Sequence, residues 1–218
     1  MSHLSKNKAH VQVAAVLVGL VLFFLLGVLV VRPPSSSKAA TLLRQGLLQL
    51  EEDPAYDLVI EESAPGYNLT FQGTVEDKTV LAGYLPEFEL ELSYRAGELL
   101  VRKNSSEEWA EAATVQLQGL TGFLTSPLAV LRAQEEQFRD AFTGEDIQLG
   151  ETQCKIVYLK LDPDTDLLAD LFPEVKPANI QAVSMGAALT ETDYRIKQLR
   201  LLIKFTNSGS LERVYYLN

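Results

Sequence analysis

The chain has 218 residues, 47% of them hydrophobic, and a formal net charge of −10. That length suits one globular domain plus one additional element. The acid surplus argues against nucleic acid as a partner, because phosphate contacts need clustered Lys and Arg. One cysteine, Cys154, permits no internal disulfide, and its apolar setting CKIVYLKL marks a buried, inert thiol.

A ten-residue head containing Lys6 and Lys8 opens the chain. From Val11 to Val31 the sequence reads VQVAAVLVGLVLFFLLGVLVV, with no charge and one Gln. About 21 residues at about 1.5 Å each give about 31 Å of helix, enough to cross the hydrocarbon core of a bilayer. The segment reads as a single-pass transmembrane signal anchor. A cleaved signal peptide is the competing reading, but its apolar region is ordinarily about 7–15 residues long. All 29 acids and 14 of the 19 basic residues lie from Glu51 onward, a net charge of −15 for that part. With Arg32, Lys38 and Arg44 following the span, the positive-inside count alone does not fix orientation. The short head and long acidic remainder favour the N-terminus inside and the C-terminal domain extracytoplasmic. An exported domain without disulfides is more typical of a bacterial cell envelope than of a eukaryotic secretory route.

Residues 32–39 form a Pro/Ser tether, too short to carry the domain far from the membrane. The domain itself is expected over 40–218. Leu43, Leu47 and Leu50 share one face of a helix over 40–52, and Asp53-Pro54 ends it. The period then changes to two. Tyr67, Leu69, Phe71 and Val75 form one stripe, with Gly73 marking a bulge or close packing. Phe88, Leu90, Leu92 and Tyr94 form the next, alternating with Glu87, Glu89 and Glu91 in PEFELELSY. Residues 95–98 read as a turn, Leu99–Val101 as the returning strand, and 104–106 as a second turn before Trp109.

Ser126-Pro127 predicts a helix start. Leu128, Leu131, Phe138 and Phe142 are expected along one side of that helix, with Gly144 as its stop. A strand over 154–161 and a short helix over 165–171 follow, the latter capped by Asp162 or Asp164. The last 40 residues predict three strands: Val183 in the first, Tyr194 to Phe205 in the second, and 211–217 in the third. A phase slip at Lys197–Gln198 predicts a β-bulge. A helix over 179–203 is the alternative, since Ile196, Leu199 and Ile203 also fit that period.

Catalytic chemistry finds no foothold. The two histidines, His3 and His10, precede the span, so the body has no Ser-His or Cys-His pair and no histidine-based zinc site. Asp162, Asp164 and Asp166 begin like a calcium loop, but Leu167 and Pro173 replace its Gly and Glu. Ser184-Met185-Gly186-Ala187 lacks the proline of a Ser-Lys signal peptidase. The expectation is a protein that is not an enzyme and needs no cofactor or metal.

The order of elements carries a resemblance. A leading helix precedes long alternating strands, the hairpin GELLVRKNSSEEW and a Ser-Pro helix. GETQCKIVYLKLD, TDYRIKQLRLLIKF and ERVYYLN complete it. Over about residues 40–218 this resembles the LolA/LppX-like group of bacterial envelope proteins. The resemblance implies an α+β fold in which a curved antiparallel sheet, an incomplete barrel, is covered by helices. It implies an apolar cavity for acyl chains of a lipid or lipoprotein, lined by Tyr67, Leu69, Phe71, Phe88, Leu90, Leu92, Tyr94, Leu128, Leu131, Phe138 and Phe142. The same stripes also describe an ordinary filled core. The alternative reading is therefore a ligand-free, membrane-tethered module whose acidic strand face meets another envelope protein.

Overall fold

The computed structural model describes residues 38–218 apart from Thr79 and Asn104. The expected span at 11–31 and most of the tether lie outside the described residues. Lys38 and Ala39, expected in the tether, already belong to helix α1 (Lys38–Glu52). Its buried positions, from Ala39 and Ala40 through Leu42, Leu43, Gly46 and Leu47 to Leu50, recur at three- and four-residue intervals. This is the spacing of a one-sided apolar helix.

Among the described residues, eleven antiparallel strands make one sheet. The first meander comprises β1 (Ala55–Ala64), β2 (Tyr67–Glu76), β3 (Val80–Leu85), β4 (Leu90–Arg95), β5 (Glu98–Arg102) and β6 (Ala110–Glu111). The second comprises β7 (Phe142–Leu149), β8 (Thr152–Leu161), β9 (Ile180–Thr190), β10 (Ile196–Phe205) and β11 (Ser210–Leu217). The two meanders join where β1 pairs with β11. Strands β6 and β7 are left at opposite edges, and the sheet does not close.

Three expected elements are corrected. The stretch 86–94 is not one strand. Pro86–Phe88 form a 3-10 turn, Glu89 has a left-handed backbone (φ 53°), and β4 begins only at Leu90. Proline at the start of that turn has no N–H to offer a strand ladder. The turn ends a strand, β3, that the sequence reading left unassigned, as it did β1. The Ser126 helix does not reach Gly144. It is α3 (Pro127–Ala133), followed by a 3-10 segment, Glu135–Asp140, and then by β7. Phe142 and Gly144 therefore belong to an edge strand. Tyr194 lies before β10, in a turn with φ 58°.

Other expectations match. Ser126 Oγ accepts a hydrogen bond from the Ala129 N–H, with Pro127 at the first helical position. The three C-terminal strands are present, and the register shifts between Ile196 and Gln198. Ala96 and Gly97 both have positive φ between β4 and β5, as a two-residue hairpin turn demands. Gly73 is a close-packing glycine: it faces Gly83 across the β2–β3 pair, and both sit beneath the Phe71 ring. The helix α4 (Asp166–Leu171) begins after Thr165, but neither expected aspartate caps it. Asp162 Oδ1 instead accepts from the Asp164 N–H.

Register places Leu58 and Ile60 of β1 beside Leu217 and Tyr215 of β11, and Leu199, Leu201 and Ile203 of β10 continue the face. All of these side chains are buried. This inner face is covered by α1, which packs over β7–β10, and by α3, the short helix α2 (Leu120–Phe123) and α4. The covered face and its helices form one continuous apolar cluster.

Candidate functional site

At the middle of the inner face stand two charges. On β11 the inward positions are Leu211, Arg213, Tyr215 and Leu217; on β1 they are Leu58, Ile60 and Glu62. Arg213 and Glu62 are direct cross-strand partners. Arg213 is only 1% exposed and Glu62 only 5%. The guanidinium Nε donates to Glu62 Oε2 at 2.5 Å, and Tyr67 Oη donates to Glu62 Oε1 at 2.7 Å. Removing two charges from water costs several kcal/mol per ion unless every donor and acceptor is matched. The remaining donors are therefore informative.

They point at the cover. Arg213 Nη1 donates to the Gly122 carbonyl of α2 at 2.7 Å, and Nη2 to the Leu171 carbonyl at the end of α4 at 3.3 Å. The last carbonyls of a helix lack partners within it, and a cation suits that end. The guanidinium plane also lies over Phe172 (4.2 Å) and near Phe123 (5.5 Å). One side chain thus ties two short helices to the sheet. Gly122 permits the close approach: a Cβ there would lie 2.8 Å from the Leu171 carbonyl oxygen.

Burial works against the Arg213 charge, but the neighbouring Tyr215 and Glu62 outweigh it and hold the guanidinium above its ordinary pKa. The phenols beside it respond in the opposite sense to their charge. Burial, then the hydrogen bond and charge of Glu62, push the Tyr67 hydroxyl well above the ordinary tyrosine value. Burial likewise raises Tyr215.

The structure brings together most of the expected lining residues. Phe71, Leu90, Leu92, Leu128, Leu131 and Phe138 are buried in the common cluster, and Leu69 and Tyr94 pack against it. Tyr67 lies at its rim with its hydroxyl on Glu62. Phe88 and Phe142 are set apart, each 49% exposed. Phe88 is on the 3-10 turn, and Phe142 leans on the Tyr158 ring, 5.6 Å between centroids, on the outer face of the sheet. The acidic face expected on 86–94 is also divided. Glu91 alone lies in a strand, where it pairs with Arg102 at 2.7 Å; Glu87 and Glu89 are in the turn. Open hollows of about 430, 460 and 540 Å³ lie elsewhere, and none of the eleven expected residues lines these three.

Sequence reasoning missed Arg213 and Glu62. The signal was present: each is a charge on the apolar phase of an alternating strand, and the two charges are opposite.

No protein-family model matches the chain, and no curated protein matches it in sequence. Among solved structures it is similar to the lipoprotein LppX from Mycobacterium tuberculosis, with 10% identity and a TM-score of 0.56. That match covers 84% of this chain and 95% of LppX. This chain has a LolA/LppX-like fold. LprF from Mycobacterium bovis matches with 9% identity over 84% of this chain and 92% of its own, at a TM-score of 0.47. A LolA superfamily protein from Nitrosomonas europaea matches with 9% identity over 81% and 90%, at a TM-score of 0.30. At such identities the likeness concerns the fold alone.

Proposed function

We propose that this chain is a membrane-anchored, extracytoplasmic domain of the bacterial envelope. On this reading it binds an acyl chain of a lipid or lipoprotein on its inner face and performs no chemistry on it. One observation carries the reading: the apolar face of an unclosed sheet is covered in part by very short helices, and a single guanidinium holds two of them. A four-residue helix such as α2 contributes little contact area of its own. A buried acyl chain gains about 0.8 kcal/mol per methylene. A long chain therefore gains on the order of 10 kcal/mol, enough to offset displacement of such a cover. The apolar span at 11–31 and the short tether would keep the domain beside its lipid source.

The test uses the full-length chain in lipid nanodiscs containing a diazirine-labelled palmitoyl phospholipid. Adducts on 38–218, mapped by mass spectrometry to the inner strands and α2–α4, are expected. Leu90→Arg should reduce them at least fivefold. Adducts confined to 11–31 would overturn acyl binding. Protease added to intact cells should cleave within 38–218, and full protection would overturn the orientation.

A second reading rests on its own observation. Phe71, Leu92, Leu131 and Phe138 are at most 1% exposed and belong to one packed cluster. An interior filled in this way needs no ligand to be stable, and it suits a tethered protein-interaction module.

A further inference from the structure

The outer face of the sheet carries a second feature, at the edge far from β7. Register aligns Tyr84 of β3, Glu91 of β4 and Arg102 of β5 as successive cross-strand neighbours. Ala110 pairs with Val101, so Trp109 arrives opposite Arg102 at the end of the row. The Arg102 guanidinium lies 4.4 Å from the centre of the Trp109 ring, and its Nε donates to Glu91. Tyr84 is 39% exposed and Trp109 40%. Phe88, also exposed, sits on the turn joining β3 to β4. Two large aromatic surfaces thus flank an ion pair across three adjacent strands and the residue leading into β6, a composition typical of the energetic centre of a protein interface.

We propose that this row is a docking surface for a Lys- or Arg-bearing extended segment of a second protein. Charge selects the occupant. Residues 84–111 contain seven Glu against Arg95, Arg102 and Lys103. Of these cations, Arg102 is already engaged by Glu91 and Trp109. An anionic partner or an anionic lipid headgroup meets net repulsion here. A cation meets Glu87, Glu89 and Glu108, all exposed, the negative face of Tyr84 and the side of the Trp109 ring away from Arg102. Tyr84 and Trp109 are three strand spacings apart, about 14 Å. Side chains on one side of an extended segment recur about every 7 Å, so cations about four residues apart would reach both aromatic positions. This inference goes beyond acyl binding and holds whether the inner face is filled or occupied.

The experiment uses the full-length chain in its host membranes, with p-benzoylphenylalanine replacing Tyr84 or Trp109 in separate chains and Phe142 as the control position. Irradiation from both positions is expected to join the chain to one protein, within a segment of net positive charge. Phe142 should not give that adduct, and the double change Glu87→Lys with Glu108→Lys should reduce it at least fivefold. The captured segment, made as a synthetic peptide, should shift the emission of Trp109, the only tryptophan in the chain. No adduct, an adduct with lipid or a second copy of this chain, a neutral or acidic segment, or an unchanged Trp109 emission would each overturn the proposal. None of these outcomes depends on whether labelled acyl chains enter the inner face.

Discussion

The two parts of the cover are held by different physics. Helix α1 spans 15 residues and rests on β7–β10 through a continuous apolar stripe. At about 1.5–3 kcal/mol for each fully buried large aliphatic side chain, that stripe suffices without any polar anchor. Helices α2 and α4 have only four and six residues, and bury Phe123 and Leu167, Leu168 and Leu171 respectively. They also have a polar tie: a backbone carbonyl of each accepts from one buried cation. A large apolar contact tolerates the loss of one member, whereas a polar anchor fails at a single atom.

The largest expected effect breaks that anchor. Arg213→Leu leaves Glu62 buried and unpaired, and should cost about 3–5 kcal/mol in urea unfolding. Adding Glu62→Leu should restore part of that loss, because no charge then remains buried. A loss equal in the single and double variants would show that the anchor matters only through packing.

The next change tests the α1 side. A Cβ at Gly46 would lie 2.5 Å from the Leu189 side chain and 3.0 Å from that of Ile196. Gly46→Val should therefore cost about 1–3 kcal/mol by overpacking. It should leave hydrogen exchange of the α2 and α4 amides above global unfolding unaltered, whereas Arg213→Leu should accelerate it. Equal acceleration by both would remove the distinction between the two halves.

Smaller effects sharpen the same contrast. Tyr67→Phe removes one donor from Glu62 and should cost about 1 kcal/mol. Alkali acts on the same group. The folded-state Tyr67 and Tyr215 pKa values are raised, so their contribution is complete below the ordinary tyrosine value of about 10. It is lost as pH rises from there through the folded values, because the unfolded chain releases those protons first. Urea midpoints should fall above about pH 10, and less steeply in Tyr67→Phe. A midpoint unchanged in that range would contradict the raised pKa values of these phenols.

Legibility in the sequence followed locality. The α1 stripe, the Ser126-Pro127 start, the Ala96-Gly97 turn and the bulge at Ile196–Gln198 each depend on residues a few positions apart, and each is present. Strand β1 is hidden in the sequence because Asp57, Glu61 and Glu62 interrupt its apolar pattern; two of these face outward and the third is the anchor's partner. Phe142 fitted a helical period with Leu128, Leu131 and Phe138. The 3-10 segment Glu135–Asp140 intervenes, and pairing with Tyr158 in β8 places Phe142 in a strand. Of the expected inner lining, the strand residues Phe71, Leu90 and Leu92 lie together because alternation alone assigns them to one face.

The sequence by itself determined the alternation of apolar and polar positions, the helix starts, the acidic balance and the uncharged stretch at 11–31. All are properties of neighbours along the chain. Only the tertiary structure decided that Arg213 meets Glu62, 151 positions away, and that its remaining donors reach two helix ends. A buried charge is tolerated only when partners are supplied from several segments at once, and no local pattern records where those segments meet.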